Sequence, residues 1–201
     1  PVFMPVGTRG TIKGLTPEQI RRTGSTIILA NTYHMLIRPG THVVEALGDL
    51  HELMSWNGPV LTDSGGYQVF SLSTLNRLGD DGVEFASHID GEKIYMDAKI
   101  ATEAQNRLGA DIIMCFDECP PFPCEPKQLQ KAVERTIRWA KQCKEAHGND
   151  KQLLFGIVQG GIDPRLRTFC AEKLIELDFD GYAIGGLSVG EGYEKMARTT
   201  E

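Results

Sequence analysis

The sequence predicts an α/β fold, a (β/α)8 TIM barrel of which this chain supplies about six of the eight units. Short apolar runs of strand length alternate with amphipathic helical patterns along the 201 residues, and this alternation indicates a parallel sheet covered by helices. Polar residues come directly after the apolar runs, where barrels place functional side chains. A complete barrel takes about 250 residues. We therefore expect one partial catalytic domain over 1–201, without barrel strands 7 and 8.

A doubly wound sheet is the alternative that the same alternation allows. The chain has no G-x-G-x-x-G after its first apolar run, and this weakens the prediction of a dinucleotide site at that turn. The polar residues at several strand ends favour the barrel.

Composition and charge argue against several classes of protein. Hydrophobic residues make up 41% of the chain, enough to bury a substantial core, yet no apolar run approaches the roughly 20 residues of a membrane helix. The net charge of −6 argues against broad nucleic-acid binding but permits a local basic patch. No signal-peptide pattern opens the chain, and its start at Pro1 rather than Met suggests that it begins inside a longer protein.

The cysteines indicate a reducing, cytoplasmic location. They are odd in number and scattered along the chain, which is typical of reduced thiols. No closely spaced cysteine pair is followed by a second Cys or His pair, so the sequence does not encode a structural zinc site here. The five are Cys115, Cys119, Cys124, Cys143 and Cys170.

The strands are predicted from apolar runs that end in polar residues or glycine. They span 1–6, 26–30, 58–61, 111–116, 153–158 and 181–184. Between the third and the fourth, Asp90-Gly91 lies between the runs 83–89 and 93–96 and predicts an antiparallel hairpin.

Helix boundaries are predicted from capping residues. Thr16 with Pro17 and Gln19 forms a capping box at a helix start, and Gly24 ends that helix. The other predicted helices run from 41 to 47, from Asp97 to Leu108, from about 126 to 147, from Asp163 onward, and past Gly192.

The stretch 61–68, Leu-Thr-Asp-Ser-Gly-Gly-Tyr-Gln, is the centre of the functional prediction. A carboxylate at a strand end can act as an acid, a base or a ligand anchor, and glycines let a ligand lie close to the backbone. The alternative is that Asp63 caps a turn and Tyr67 packs in a core. Other predicted strand ends carry Asn31, Asp117, Gln159 and Gly186. This clustering favours the functional interpretation.

The sequence resembles the tRNA-guanine transglycosylases, also called queuine tRNA-ribosyltransferases, of the bacterial type, over essentially all of its length. Five motifs in the family's order carry the resemblance: Asn31-Thr32-Tyr33-His34 with Arg38-Pro39-Gly40, Asp63–Gln68, Phe116–Cys119, Gln159-Gly160 and Gly185–Gly192. The resemblance implies a pentosyltransferase of queuosine biosynthesis. Such an enzyme exchanges the wobble guanine of tRNA for 7-aminomethyl-7-deazaguanine without cutting the strand.

The resemblance also assigns the residues that recognise the base. Asp117 would accept both N1–H and the exocyclic amine of guanine, a bidentate contact. Gln159 would donate its amide to O6, and the backbone N–H of Gly186 would be a second donor. Tyr67 would stack on the base, as expected for a splayed-out nucleotide.

Further roles follow from the same resemblance. Asp63 matches the general acid/base that handles protons on the leaving and incoming bases. Leu187 would offer its carbonyl to the 7-substituent, and Glu191 would hold that peptide from behind. Cys119 and Val189 match the bacterial pattern associated with the aminomethyl base rather than queuine. Asn31 and Ser64 complete the predicted substrate-binding residues.

The remaining parts implied by the resemblance are expected outside this chain. They are the nucleophilic aspartate after the eighth strand and a zinc ion held by three cysteines and a histidine. The partners would be the tRNA anticodon loop, the free base, and a second copy in a homodimer. The alternative function is a non-catalytic base-binding or partner subunit of the same fold.

Structural roles are the alternative for several of these residues. Cys119 could simply pack at a strand end, and His34 is predicted to be a hydrogen-bonded structural histidine. Glu118 and Asp163 are predicted to face solvent or to cap helices.

Overall fold

A five-stranded parallel sheet forms the centre of the protein, in a computed structural model that describes residues 1–72 and 76–201. Its strands are β1 (Ile28–Ala30), β2 (Val60–Thr62), β6 (Ile112–Met114), β7 (Leu153–Val158) and β8 (Gly181–Ile184). A separate antiparallel sheet contains β3 (Asn76–Leu78), β4 (Gly82–Ala86) and β5 (Lys93–Asp97). The helices are α1 (Pro17–Arg22), α2 (Thr32–Ile37), α3 (Thr41–Ala46), α4 (Leu50–Met54), α5 (Gly66–Leu72), α6 (Ala98–Leu108), α7 (Pro126–Ala146), α8 (Pro164–Ile175) and α9 (Tyr193–Thr200).

The order of the parallel strands follows the chain without reversal. It runs β1-β2-β6-β7-β8, and Val6 adds a parallel bridge to Leu29 on the outer side of β1. A doubly wound sheet contains a point where the strand order reverses, and the described strands contain none. The prediction of an α/β fold with a parallel sheet is confirmed. The sheet is open, because β8 and the Val6 bridge do not pair with each other.

The prediction of a first strand over 1–6 is wrong apart from its last residue. Leu29 N–H donates to the Pro5 carbonyl at 3.0 Å and Gly7 N–H donates to the Leu29 carbonyl at 2.6 Å, so the segment touches β1 over a single bridge. Pro5 lacks the N–H that a longer ladder needs. The sheet therefore has five strands and one bridge rather than six strands.

The predicted helix caps are confirmed. Thr16 forms the capping box with Gln19 at α1, Asp97 accepts from Ile100 N–H at α6, and Asp163 caps α8. Three short helices were not predicted, namely α2, α4 and α5. Helices α2 and α5 begin within a few residues of a strand end, where the polar and glycine residues suggested loops.

The predicted hairpin around Asp90-Gly91 is confirmed as the antiparallel pair of β4 and β5. Its first strand ends at Ala86 rather than at 89, because Ser87 to Glu92 form the connecting loop. Strand β3 pairs with β4 on the other side and was not predicted.

The buried side-chain amide of Gln105 joins strands β2 and β6. Gln105 of α6 accepts from Met114 N–H at 2.9 Å and from the Thr62 hydroxyl at 3.0 Å, and it donates to the Met114 carbonyl at 2.9 Å. Strands β2 and β6 share only one registered pair, Leu61 with Ile112. The Gln105 side chain therefore supplies contacts that the backbone ladder lacks at this junction.

None of the described helices combines the length and the apolar character needed to span a bilayer.

Candidate active site at the carboxyl ends of the strands

Asp63 follows β2 and is surrounded by hydrogen-bond donors. Its Oδ1 accepts from Thr32 N–H at 2.8 Å, and its Oδ2 accepts from the Gln68 amide at 3.0 Å and from the Asn31 amide. The Thr32 hydroxyl also donates to the Asp63 carbonyl at 2.6 Å, which fixes the backbone. Burial raises the pKa of Asp63 although these donors act to lower it.

Asp117 follows β6 and is almost fully buried, at 5% exposed. Its Oδ1 accepts from the Ser64 hydroxyl and its Oδ2 from the Gln159 amide, both at 2.7 Å. Burial raises the pKa of Asp117 despite these two hydrogen bonds. The carboxyl group thus links the ends of three strands, β2, β6 and β7, at a buried position where no cation of the described residues lowers its pKa.

Two glycines are required by close contacts in this pocket. A Cβ at Gly66 would lie 2.5 Å from the Asp117 carbonyl oxygen. A Cβ at Gly186, which has φ +69°, would collide with the Oε1 of Gln159. Any side chain at either position would displace the residues that surround Asp117.

Gln159 is buried, and only one of its two polar side-chain atoms is hydrogen-bonded. Its Nε2 donates to Asp117, but its Oε1 is buried without a hydrogen-bond partner in the described residues. Buried polar atoms in folded proteins are nearly always paired. An unpaired amide oxygen beside a carboxylate and a glycine turn indicates a place where a polar ligand fits.

The loop 186–192 is held in shape by Glu191. This carboxylate accepts from Val189 N–H at 2.9 Å and from Ser188 N–H. Although desolvation acts to raise it, these backbone donors lower the pKa of Glu191. Leu187 lies in the same loop. Its carbonyl contact with a ligand stays a prediction.

Tyr67 borders a cavity of about 300 Å³ rather than packing in the core. Its side chain is 51% exposed, so the alternative of a core tyrosine is wrong. The cavity is lined by Tyr67, Phe70, Ser71, Cys119, Pro121, Ser188, Val189 and Gly190. Cys119 and Val189 thus both line this cavity, and burial raises the pKa of the Cys119 thiol to about 11. A thiol with that pKa is neutral at pH 7 and lines the cavity without acting as a nucleophile.

All ten predicted site positions other than Leu187 therefore make contacts in, or border, one region at the carboxyl ends of β1, β2, β6, β7 and β8. Sequence analysis assigned no role to Thr32 or Gln68, although both belong to the motifs that it singled out. The sequence indicated them only by position, because Thr32 follows Asn31 and Gln68 follows Tyr67. Their contacts with Asp63 depend on how α2 and α5 pack.

Of two structural predictions for neighbouring residues, the one for Glu118 is wrong and the one for His34 stays a prediction. Glu118 is buried at 4% exposed rather than facing solvent, because Arg135 of α7 forms an ion pair with it. His34 has a buried Nδ1 without a partner in the described residues, and its ring packs edge-on against Tyr33 and His88. The capping role of Asp163 is confirmed.

The described part of the chain contains no group of three or more His, Cys, Asp or Glu side chains placed to hold a metal ion. The zinc ion that the family resemblance implies therefore has no matching ligand set among these residues.

Comparison with known proteins identifies relatives over the full length of the chain. The family model described as "Queuine tRNA-ribosyltransferase" matches residues 1–201. A queuine tRNA-ribosyltransferase of Caldanaerobacter subterraneus subsp. tengcongensis is 55% identical over 98% of this chain and 52% of its own length. One of Bacillus licheniformis is 54% identical over 100% of this chain and 53% of its own length. One of Ruminiclostridium cellulolyticum is 56% identical over 98% of this chain and 53% of its own length.

The chain spans about half the length of these curated relatives. The match is nevertheless continuous over the residues that gather around Asp63 and Asp117. The chain belongs to the queuine tRNA-ribosyltransferase family.

Proposed function

We propose that the protein carrying this chain exchanges the wobble guanine of tRNA for 7-aminomethyl-7-deazaguanine. The observation that carries the proposal is the buried Asp117 carboxylate between Ser64 and Gln159, two residues before Cys119, which lines the cavity bordered by Tyr67. The relatives bear the name queuine tRNA-ribosyltransferase.

Asp117 recognises the Watson–Crick edge of the base in this proposal. A carboxylate has two oxygens and can accept both N1–H and the exocyclic amine of guanine. In the unliganded pocket Ser64 and Gln159 donate to those oxygens, so they keep the charge satisfied until the base enters. Gln159 and the backbone N–H of Gly186 then face the base oxygen.

Tyr67 provides the stacking surface, and the loop with Glu191 limits the room beyond the base. The half-exposed ring of Tyr67 lines the same cavity as Val189, where a flat base can lie against the ring. Cys119 and Val189 narrow the same cavity. This supports the smaller aminomethyl base over queuine, with the Leu187 carbonyl directed toward the amine.

Asp63 moves the proton that leaves or enters with the base. Its carboxyl is partly exposed and lies among three donors from Asn31, Thr32 and Gln68. Burial raises its pKa, which brings a carboxyl closer to the range where it can both take and return a proton near neutral pH.

The remaining parts of the family's machinery are proposals for the whole protein. They comprise a closed eight-stranded barrel, a nucleophilic aspartate after the eighth strand, a zinc ion, a homodimer and a cytoplasmic location. No step assigned to the residues above passes through the zinc ion. By the same resemblance, residues 1–201 would form one partial barrel domain.

Base binding and base exchange test this function separately. Isothermal titration of this chain with guanine and with 7-aminomethyl-7-deazaguanine measures recognition. Exchange of radiolabelled guanine into tRNA measures chemistry, on this chain and on the full-length Bacillus licheniformis relative. Failure of this chain to bind either base contradicts the proposal. Binding by the relative without exchange would favour the non-catalytic base-binding subunit.

A further inference from the structure

Arg167 lies in the first turn of α8 and, among the described residues, donates only to backbone carbonyls. Its Nη1 donates to the Gly161 carbonyl at 3.1 Å and to the Gly185 carbonyl at 2.9 Å. Its Nη2 lies 3.5 Å from the Val158 carbonyl, a marginal hydrogen bond. No carboxylate in the described ranges contributes to its environment, and burial lowers the pKa of Arg167.

The first turn of α8 is an energetically unfavourable position for a partly buried cation. The N-terminal turn of a helix carries partial positive charge, so arginine is disfavoured there. Partial burial of a charge without a counter-ion adds a desolvation cost. At this position the compensation comes from carbonyl oxygens at the ends of β7 and β8. A single nitrogen therefore joins the turn after β7 to the turn after β8.

The Gly185 carbonyl belongs to the same peptide unit as the Gly186 N–H. In a planar trans peptide, the C=O and the N–H point in opposite directions. A guanidinium that holds the carbonyl on one side thus aims the N–H to the other side. Hydrogen bonding to the carbonyl also polarises the peptide and strengthens its N–H as a donor.

The turn after β7 is tied to the same arginine. A Cβ at Gly160 would lie 2.7 Å from the Arg167 backbone nitrogen, so this turn packs directly on the first turn of α8. The Gln159 side chain in turn packs on the glycine pair, since a Cβ at Gly185 would lie 2.9 Å from Gln159 Nε2. Arg167 therefore fixes the Gly185–Gly186 peptide, against which the Gln159 amide packs.

We propose that Arg167 is a positioning residue that aims the two donors for the 6-oxygen of the base, Gln159 and the Gly186 N–H. This inference rests on the proposed function, because it assigns a task to Arg167 within the same pocket. The selectivity that it supports is for a 6-oxopurine over a purine that lacks the oxygen at that position.

The test compares guanine with 2-aminopurine, which lacks both the 6-oxygen and the N1 proton, in Arg167→Met. The matched control is Arg165→Met, the same change in the same helical turn at a side chain that is 94% exposed. We expect Arg167→Met to weaken guanine binding about tenfold, the effect of losing one well-placed hydrogen bond. Binding of 2-aminopurine should change less than twofold, and Arg167→Lys should recover part of the guanine affinity. The control should bind both bases as the unsubstituted chain does.

Hydrogen exchange gives a second readout that needs no base. The amides of residues 185–190 should exchange faster in Arg167→Met than in Arg165→Met, while those of α8 stay unchanged. Equal loss of both bases, or unchanged guanine affinity, would overturn the positioning role. If the unsubstituted chain binds neither base, the proposed function fails, and unchanged exchange at 185–190 then also overturns the role of Arg167.

Discussion

The two edges of the parallel sheet use aspartates in opposite ways. At the amino-terminal edge, Asp111 accepts from Val60 N–H at 2.7 Å and Asp180 accepts from Leu154 N–H at 2.9 Å. Each of these aspartates precedes one strand and satisfies an amide near the start of its neighbour. At the carboxyl-terminal edge, Asp63 and Asp117 accept mainly from side chains.

The difference shows what makes a strand-end carboxylate available for chemistry. Asp111 and Asp180, the lower aspartates at the amino-terminal edge, are exposed or partly exposed. Each accepts a hydrogen bond from a backbone N–H that the sheet leaves unpaired. Asp63 and Asp117, the upper aspartates at the carboxyl-terminal edge, accept hydrogen bonds mainly from side-chain hydroxyl and amide groups. These side chains can rotate and form other hydrogen bonds when a ligand enters. Removal of an upper carboxylate should therefore affect function, and removal of a lower one should affect stability.

The largest expected effect is on exchange by Asp63→Asn. An asparagine keeps the shape of the site but cannot carry a proton, and a general acid/base contributes about 10²–10⁴ in rate. We expect guanine exchange into tRNA to slow about a thousandfold at the matching position of the full-length Bacillus licheniformis relative. Guanine affinity should stay within about threefold, because Asp63 is not assigned a base contact. Exchange near the unsubstituted rate would remove Asp63 from this role.

Asp117→Asn should abolish most base affinity. An amide can accept at one atom only, and its NH₂ would face the second donor of the base, so we expect about a hundredfold loss by isothermal titration with guanine. Asp180→Asn is the matched control from the lower edge and should bind guanine normally. A titration of Asp117→Asn that falls within threefold of the unsubstituted chain would contradict the assignment.

The pH dependence of stability should also distinguish the upper edge. Burial raises the pKa of Asp117, so the folded chain retains a proton that the unfolded chain releases near pH 4. The associated stability is present at lower pH and is lost as pH rises through the raised pKa. In urea unfolding, Asp117→Asn should gain stability relative to the unsubstituted chain as pH increases. A difference that is constant with pH would show that Asp117 does not titrate in this way.

Base affinity should follow the opposite direction, because guanine needs the ionised carboxylate. We expect guanine binding to weaken as pH falls through the raised pKa of Asp117. Isothermal titration of the unsubstituted chain with guanine at several pH values measures this dependence. A guanine affinity that rises on acidification would contradict the proposed contact.

The smallest effect is expected at the lower edge. Asp180→Ala removes the acceptor for Leu154 N–H and should cost about 1 kcal/mol in the free energy of unfolding. Guanine affinity should not change. Asp150→Ala, at an exposed loop residue, is the control for urea unfolding. A loss of base affinity in Asp180→Ala would mean that the two edges are coupled.

Local patterns in the sequence predicted much of the fold. The capping box at Thr16, the cap at Asp97 and the Asp90-Gly91 hairpin depend on residues within a few positions of one another, and all three are confirmed. The apolar run 1–6 predicted a strand although it contains Pro1 and Pro5. Short helices after the strand ends were missed because their glycine and polar residues also fit loops.

The sequence by itself determined which residues follow the strands, and therefore which side chains compete for the carboxyl-terminal edge. Only the tertiary structure decided which of these side chains contact one another. Asp117 receives Ser64 from 53 positions away and Gln159 from 42, and Glu118 is buried because α7 brings Arg135 to it. Arg167 contacts Gly185 across 18 positions. Such contacts depend on how helices and strands pack, and local propensity carries no information about residues so far apart in the chain.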